Sequence, residues 1–213
     1  MSKFIVFEGL DGTGKSTQLS LLANKLRANG ETVWEDAEPT AAPTGKFLRR
    51  MLAGEVPANE WANAALFFAD RVHHNTDPET GIGTRLRKGE TVLSDRYYYS
   101  TFAYQGVNTD LNWIMDLHYG CPEIARPDLV LFLTMSPAKC LARIKENRGD
   151  RPLEIYETEE RLTEIAARFD AVFKKIGDRE NVAFIDADGS RETVADRVFA
   201  AVEAFEHARR NAE

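Results

Sequence analysis

Short apolar runs of strand length alternate with longer amphipathic stretches along the chain. FIVFE (4–8), TVWED (32–36), TVLSD (91–95), DLVLFLT (128–134) and NVAFIDA (181–187) read as strands. Between them, apolar residues recur at helical spacing. The pattern predicts a helix over 15–29 closed by Asn29-Gly30, a short one around 46–52, and a longer one over 58–75. Pro78, Gly81 and Gly83 then predict a kink or break before Lys88. A short helical stretch is expected after the tyrosines at 97–99, and another near 109–120. Ser136-Pro137 starts a helix to about 146, because serine caps and proline fits the first turn. Residues 154–177 and 190–208 complete the helical set. Five strands alternating with helices imply a parallel sheet covered on both faces, with ligands beyond the carboxyl ends of its strands.

Composition narrows the function classes. At 213 residues, 43% hydrophobic and 29% charged, the chain suits one α/β domain with a real core. A net charge of −7 leaves no basic footprint for nucleic acid, so local basic clusters call for local anions. No apolar run is long enough to cross a bilayer. The start, MSKFIVFEG, reads as a core strand rather than a signal peptide. Cys121 and Cys140 have neither CxxC spacing nor a disulfide-rich setting. The expected compartment is the cytoplasm and the expected partners are small molecules.

The chemistry is concentrated where strands end. Residues 9–17, GLDGTGKST, lie between the first strand and the first helix. They complete the frame G-x-x-x-x-G-K-[ST] with Gly9, Gly14, Lys15 and Ser16. Glycines let the backbone curl so that successive N–H groups face phosphate oxygens, and the following helix adds its positive end. Gly12, Thr13 and Thr17 belong to the same loop and first turn. Lys15 is expected to reach the β- and γ-phosphates of a nucleoside triphosphate, and Ser16 to ligate Mg²⁺. The implied fold is a three-layer αβα P-loop NTPase fold with a five-stranded parallel sheet and a small lid segment.

Three further constellations qualify the picture. In VLSDRYYYSTFAYQG (92–106), Asp95 closes an apolar strand at a position suited to handling Mg²⁺, and Arg96 beside it suits a second anion. Tyrosine runs are more often core than ligand platform, so only one or two of these rings are expected to face a substrate. In LFFADR (66–71), Phe67 and Arg71 are four apart and share a helix face, fit for stacking on a planar base and bonding its edge. Phe68 points elsewhere, toward the core. In RIKENRGDR (143–151), Arg143, Lys145, Arg148 and Arg151 cluster at a helix end. A mobile lid there, about 143–154, would place arginines over a transferring phosphoryl group and exclude water. His73 and His74 are adjacent on a helix, so they diverge and cannot form an i,i+4 metal pair.

The ordered set FEGLDGTGKST, EPT (38–40), LFFADR, SDRYYYSTFAYQG, RPDLVLFL (126–133) and the arginine-rich stretch before IYE (155–157) resembles thymidylate kinase through nearly the whole chain. The resemblance implies transfer of the ATP γ-phosphate to dTMP with Mg²⁺, in one domain spanning 1–213 that forms a homodimer through helices flanking the sheet. It implies that Asp11 meets the sugar and transferring-phosphate region, Phe67 stacks on thymine, and Arg71 bonds its edge. Asp95 and Arg96 would manage Mg²⁺ and the acceptor phosphate. Thr101 and Gln105 would approach the base, and Tyr104 would crowd the 2′ position. Glu38 and Pro39 would border the acceptor, Tyr156 and Glu157 would match a lid-side pair, and adenine would lie near the loop of Asp186, Asp188 and Ser190.

Two departures matter. Some members carry an arginine in the P-loop, but here that position is Gly12, so Arg148 and Arg151 of the lid are the expected catalytic cations, with Arg143 as a further candidate. Many members also carry an arginine beside Glu-Pro; here Ala37 precedes Glu38, and Ala41 and Ala42 follow Thr40. Arg49 is the candidate substitute for that contact to the acceptor phosphate. The rival readings are a kinase for dUMP, UMP/CMP or a deoxynucleoside, and a P-loop regulatory ATPase.

Overall fold

In a computed structural model of the chain, which describes residues 2–57, 59–148 and 158–212, all five strands lie in one parallel sheet of order β2-β3-β1-β4-β5. The strands are β1 (Phe4–Gly9), β2 (Val33–Ala37), β3 (Thr91–Asp95), β4 (Leu129–Thr134) and β5 (Val182–Asp186). Helices α1 (Lys15–Ala28), α2 (Pro43–Leu52), α3 (Glu60–Thr76), α4 (Ile82–Arg87), α5 (Tyr98–Tyr104), α6 (Leu111–Gly120), α7 (Pro137–Arg148), α8 (Glu159–Ile176) and α9 (Arg191–Ala212) surround it. Among the described residues, no helix is long and apolar enough to cross a membrane.

The twofold side-chain period of the strands splits the core in two. Ile5, Phe7, Leu93, Leu131 and Leu133 face α1 and α9, where Leu19, Leu22, Leu26, Val194, Val198 and Val202 close the layer. Phe4, Val6, Val92, Val130 and Phe132 face the other way. There they meet an aromatic layer that includes Tyr97, Tyr98, Tyr99, Phe102, Phe169 and Phe173. Strands buried on both faces explain the nearly continuous apolar runs of β1 and β4.

Most boundaries match the sequence pattern to within a few residues, and the differences have local causes. The break expected after the 58–75 helix is real: Asp77 accepts hydrogen bonds from the backbone N–H groups of Glu79 and Thr80 in a turn that separates α3 from α4. Helix α2 begins at Pro43 rather than near 46, because proline takes the first helical position, where its missing N–H costs nothing. Helix α5 was expected after the tyrosines but starts within them, at Tyr98; buried Glu8 accepts from the backbone N–H groups of Tyr97 (2.9 Å) and Ser100 (3.0 Å) and so caps its first turn. Helix α8 starts at Glu159, with the Thr158 side chain accepting from the Arg161 N–H; the expected start at 154 lies outside the described residues.

One buried polar cluster fastens the end of β2 to α3. Asp70 accepts from the Thr40 N–H (2.8 Å), the Thr40 hydroxyl (2.7 Å) and the Thr44 hydroxyl (2.5 Å). One helical turn further along α3, His74 sits between Glu38 (Nδ1 to Oε1, 2.9 Å) and Asp36 (Nε2 to Oδ2, 3.0 Å). His73, one residue earlier, is exposed. Burial alone would lower the His74 pKa, but the two carboxylates outweigh it and push the value up to about 9. The folded value thus lies above the ordinary histidine value of 6.5, so the stabilisation is complete below pH 6.5 and fades as pH rises through about 9. Its full size is about 3 kcal/mol. We predict that, in urea unfolding from pH 6 to 10, wild type loses about that much stability relative to His74→Gln, most of it between pH 6.5 and 9. Parallel stability curves for the two proteins would contradict the ion-paired assignment.

Candidate active site

The sheet order sets three loops side by side. Ala37 pairs with Asp95 across β2 and β3, and Phe7 pairs with Asp95 across β1 and β3. The loops that leave these three strands therefore deliver Glu38, Arg96 and the P-loop to one edge. A cavity of about 160 Å³ opens there. It is lined by Asp11, Glu38, Pro39, Leu52, Phe67, Arg71, Arg96, Tyr97, Ser100, Thr101, Tyr104 and Gln105. Nine of the ten residues expected to surround an acceptor are in this lining; Arg49 is not.

The P-loop has the geometry its glycines suggest. Gly9, Gly12 and Gly14 all take positive φ (139°, 85° and 93°), and Gly14 caps the start of α1. At Gly12 the constraint is also steric: a Cβ would collide with the backbone carbonyl of Cys140 in α7. No side chain fits at that position without moving α7, which gives the absence of a P-loop arginine a packing cause. The Thr13 hydroxyl donates to the Leu10 carbonyl at 2.8 Å. Lys15 is buried and its ammonium donates to the same carbonyl at 2.9 Å. Burial, then the Arg96 charge, lowers the Lys15 pKa, while Asp11, Asp95 and Glu8 oppose the shift. Ser16 and Thr17 are exposed on the first turn of α1, and the Ser16 hydroxyl donates to the Asp95 carboxylate.

Arg96 is the hub between the P-loop and the cavity. It is the one non-glycine residue with positive φ (73°) among the described residues. That conformation costs about 1–2 kcal/mol. It is held by the Arg96 N–H donating to Phe7 O (2.9 Å) and the Ser94 hydroxyl donating to Arg96 O (2.8 Å). The guanidinium pairs with Asp11 and donates to the Ser100 hydroxyl at 2.7 Å. Ser100 in turn donates to Glu8 at 2.7 Å. The Tyr104 hydroxyl donates to the other Asp11 oxygen at 3.1 Å, and the Lys15 ammonium lies 3.9 Å from Asp11. Burial would raise the Asp11 pKa, but Arg96, Lys15 and these hydrogen bonds outweigh it and hold the carboxyl at about 2. Burial pushes the Glu8 carboxyl the other way, above its ordinary value.

The far wall is built around Arg71, itself only 1% exposed. Its Nε donates to Glu38 at 2.8 Å and its Nη2 pairs with the same carboxylate. Nη2 also donates to the Thr101 hydroxyl at 3.1 Å, and Nη1 lies 2.6 Å from His118 Nε2. The EPT and ADR motifs thus interlock, Asp70 holding Thr40 and Arg71 holding Glu38. Phe67 lines the cavity on the same helix face as Arg71, whereas Phe68 packs edge-on to His118 at 5.3 Å. Gln105 is buried in the cavity wall. Of the tyrosines, Tyr97 and Tyr104 reach the lining; Tyr98 and Tyr99 are wholly core.

Arg49 takes a different place from the one its spacing suggests. It donates to the carbonyls of Thr40 (2.7 Å) and Pro39, bracing the loop behind the cavity. Arg143 donates to Gly189 O at 3.2 Å. The backbone of Arg148 ends α7, while Arg151, Tyr156, Glu157 and the second half of the expected lid, 149–154, lie outside the described residues. Asp186 and Asp188 line a second, more open cleft with Thr134, Ser136 and Lys139.

Sequence reasoning missed Glu8, Ser100, His74 and His118. Glu8 had a usable signal: it shares a strand face with Phe4 and Val6, so it points into the core. His118 follows Ile114 by one helical turn and so lies on a buried face. Its partner Arg71 is 47 residues away, beyond any local pattern.

Comparison with known proteins converges on one family. The family model described as thymidylate kinase matches residues 7–198. A probable thymidylate kinase of Thermococcus kodakarensis is 33% identical over 211 residues, covering 94% of this chain and 97% of the relative. A thymidylate kinase of Thermomicrobium roseum is 36% identical over 205 residues, covering 95% of each chain. One of Desulfotalea psychrophila is 36% identical over 171 residues, covering 80% and 81% respectively. With the family's P-loop, Asp95-Arg96 and Glu38-Pro39 loops gathered at one edge of a parallel five-stranded sheet, the chain belongs to the thymidylate kinase family.

Proposed function

We propose that the protein transfers the γ-phosphoryl group of ATP to the 5′-phosphate of dTMP, giving ADP and dTDP. The observation that carries this reading is the Asp11–Arg96 pair, which joins a P-loop on one side to a cavity with a ring-stacking wall on the other. An acceptor phosphate oxygen attacks the γ-phosphorus and the bond to the β–γ bridging oxygen breaks. The reaction needs positioning and charge neutralisation more than covalent chemistry.

Lys15 and the P-loop amides hold the donor phosphates. Arg96 holds the acceptor phosphate, which exchanges with Asp11 as the guanidinium's partner. Phe67 stacks on thymine, with Arg71 at the base edge and Thr101 and Gln105 nearby. Tyr104, beside Asp11, restricts the 2′ position. The cleft of Asp186, Asp188 and Lys139 takes the donor base. Arg148 and Arg151, on a lid over about 143–154, supply charge to the transferring group once closed.

Mg²⁺ fits the donor set. Ser16 and Asp95 offer hydroxyl and carboxylate oxygens in contact at the P-loop mouth, the hard ligands that Mg²⁺ prefers alongside nucleotide phosphates. When bound, the ion neutralises charge on the β- and γ-phosphates. We also propose a homodimer: Trp61, 48% exposed on α3 with its ring 5.0 Å from that of Trp113 on α6, leaves apolar surface outside the cavity. The free thiols of Cys121 and Cys140 suit the reducing cytoplasm proposed as its compartment.

Three experiments test this reading. In a coupled assay with ATP and Mg²⁺, an acceptor panel should give dTMP the highest kcat/KM, ahead of dUMP, UMP, CMP and deoxynucleosides. Slow ATP hydrolysis indifferent to every acceptor would favour a regulatory ATPase instead. Lys15→Ala should lower kcat/KM at least ~100-fold, and a near-normal rate would end the kinase reading. Separately, Phe67→Ala should weaken dTMP binding about tenfold with ATP affinity nearly intact. Calorimetry showing the reverse pattern would mean the two pockets are misassigned.

A further inference from the structure

We propose that His118 is a positioning residue for base recognition: by accepting a hydrogen bond from Arg71 it leaves that guanidinium a single donor to present to the cavity, and so favours a pyrimidine with a keto oxygen over one with an amino group.

The argument begins with the tautomer. His118 Nδ1 lies 2.8 Å from the Ile114 carbonyl, an acceptor only, so Nδ1 carries the proton. Its Nε2 lies 2.6 Å from Arg71 Nη1, and a guanidinium nitrogen only donates. Nε2 therefore accepts, which requires a neutral ring. Burial, reinforced by the Arg71 charge, keeps it neutral by lowering the pKa to about 3. The ring is fixed by edge-on packing on Phe68 and Phe102, each at 5.3 Å between centroids.

Donor counting gives the consequence. Of the five N–H groups of a guanidinium, the Arg71 Nε donates to Glu38, one Nη2 hydrogen to Glu38, the other to Thr101, and one Nη1 hydrogen to His118. One Nη1 hydrogen remains, and Arg71 lines the same cavity as Phe67. A fixed lone donor matches a carbonyl oxygen on a stacked base and opposes an exocyclic amino group, which is itself a donor. Without an acceptor at position 118, Nη1 has two uncommitted hydrogens and the guanidinium loses one of its three anchors. Cation placement is then free to adjust to either base.

This inference rests on the base-pocket assignment above, and the test separates the two. Steady-state kinetics with dTMP and dCMP would be measured for wild type, His118→Leu and His118→Gln. The expected result for His118→Leu is a KM for dTMP raised about tenfold and a dTMP/dCMP ratio of kcat/KM lowered at least tenfold, with kcat for dTMP within about threefold of wild type. His118→Gln, whose amide oxygen can accept from Arg71, should recover most of the ratio. The ratio is independent of how much protein is folded, because both substrates report on the same active molecules. An unchanged ratio in His118→Leu, or equal ratios for Leu and Gln, overturns the inference. Wild type with no preference for dTMP over dCMP would instead fail the pocket assignment itself. Nitrogen NMR of wild type at neutral pH supplies a readout that needs no variant. It should show the His118 ring neutral with the proton on Nδ1; a proton on Nε2 overturns the proposal.

Discussion

The ion pair between Asp11 and Arg96 is the joint on which the site depends. Asp11 belongs to a loop whose backbone is curled to face phosphates, and Arg96 belongs to the loop leaving the neighbouring strand. Leu10 and Tyr97, the chain neighbours of these two residues, are buried in the core, so the ion pair joins two loops that are each anchored beside it. Charge joins them, in a setting where Tyr104 donates to Asp11, the Lys15 ammonium lies 3.9 Å from it, and Ser100 accepts from Arg96. The backbone of Arg96 accepts a left-handed conformation to make this contact, and strain of that kind persists only where surrounding bonds over-determine it.

The buried polar groups here are better understood as aligning devices than as sources of stability. Taking Arg71 and Glu38 out of water costs several kcal/mol per ion, and their attraction roughly offsets that cost. Removing one partner alone is a different matter, at about 3–5 kcal/mol, because the survivor is left buried and unpaired. Such groups therefore hold one arrangement against its alternatives. Asp70, Glu38, His74, His118 and Glu8 all serve in this way; Glu38 itself lines the cavity, and the other four lie outside its lining. Hydrophobic burial on the two faces of the sheet supplies the driving force for folding.

What was legible in the sequence was local. The P-loop is contiguous, and its glycines, lysine and serine declare their geometry without reference to the rest of the chain. Phe67 and Arg71 share a helix face, so spacing alone set them together, and the companion motifs pointed that face at the cavity both residues line. Strands β1 and β4 were the most legible because both their faces are buried and their apolar runs are nearly continuous. What was hidden depends on pairings across 30 or more positions: Arg71 with Glu38, Thr40 with Asp70, Tyr97 with Glu8. Arg49 shows the same limit, since its helical position says nothing of the Pro39 and Thr40 carbonyls that engage it.

The central claim is that Lys15 and Arg96 attend two phosphate sites facing each other across Asp11. A crystal structure with dTMP and a non-hydrolysable ATP analogue tests it most directly. The account predicts the dTMP phosphate against Arg96, its base between Phe67 and Arg71, and the analogue's terminal phosphate beside Lys15 in line with the acceptor oxygen. Acceptor density anywhere other than the Phe67–Arg71 cavity, or an Arg96 that turns away from both phosphates, would contradict it.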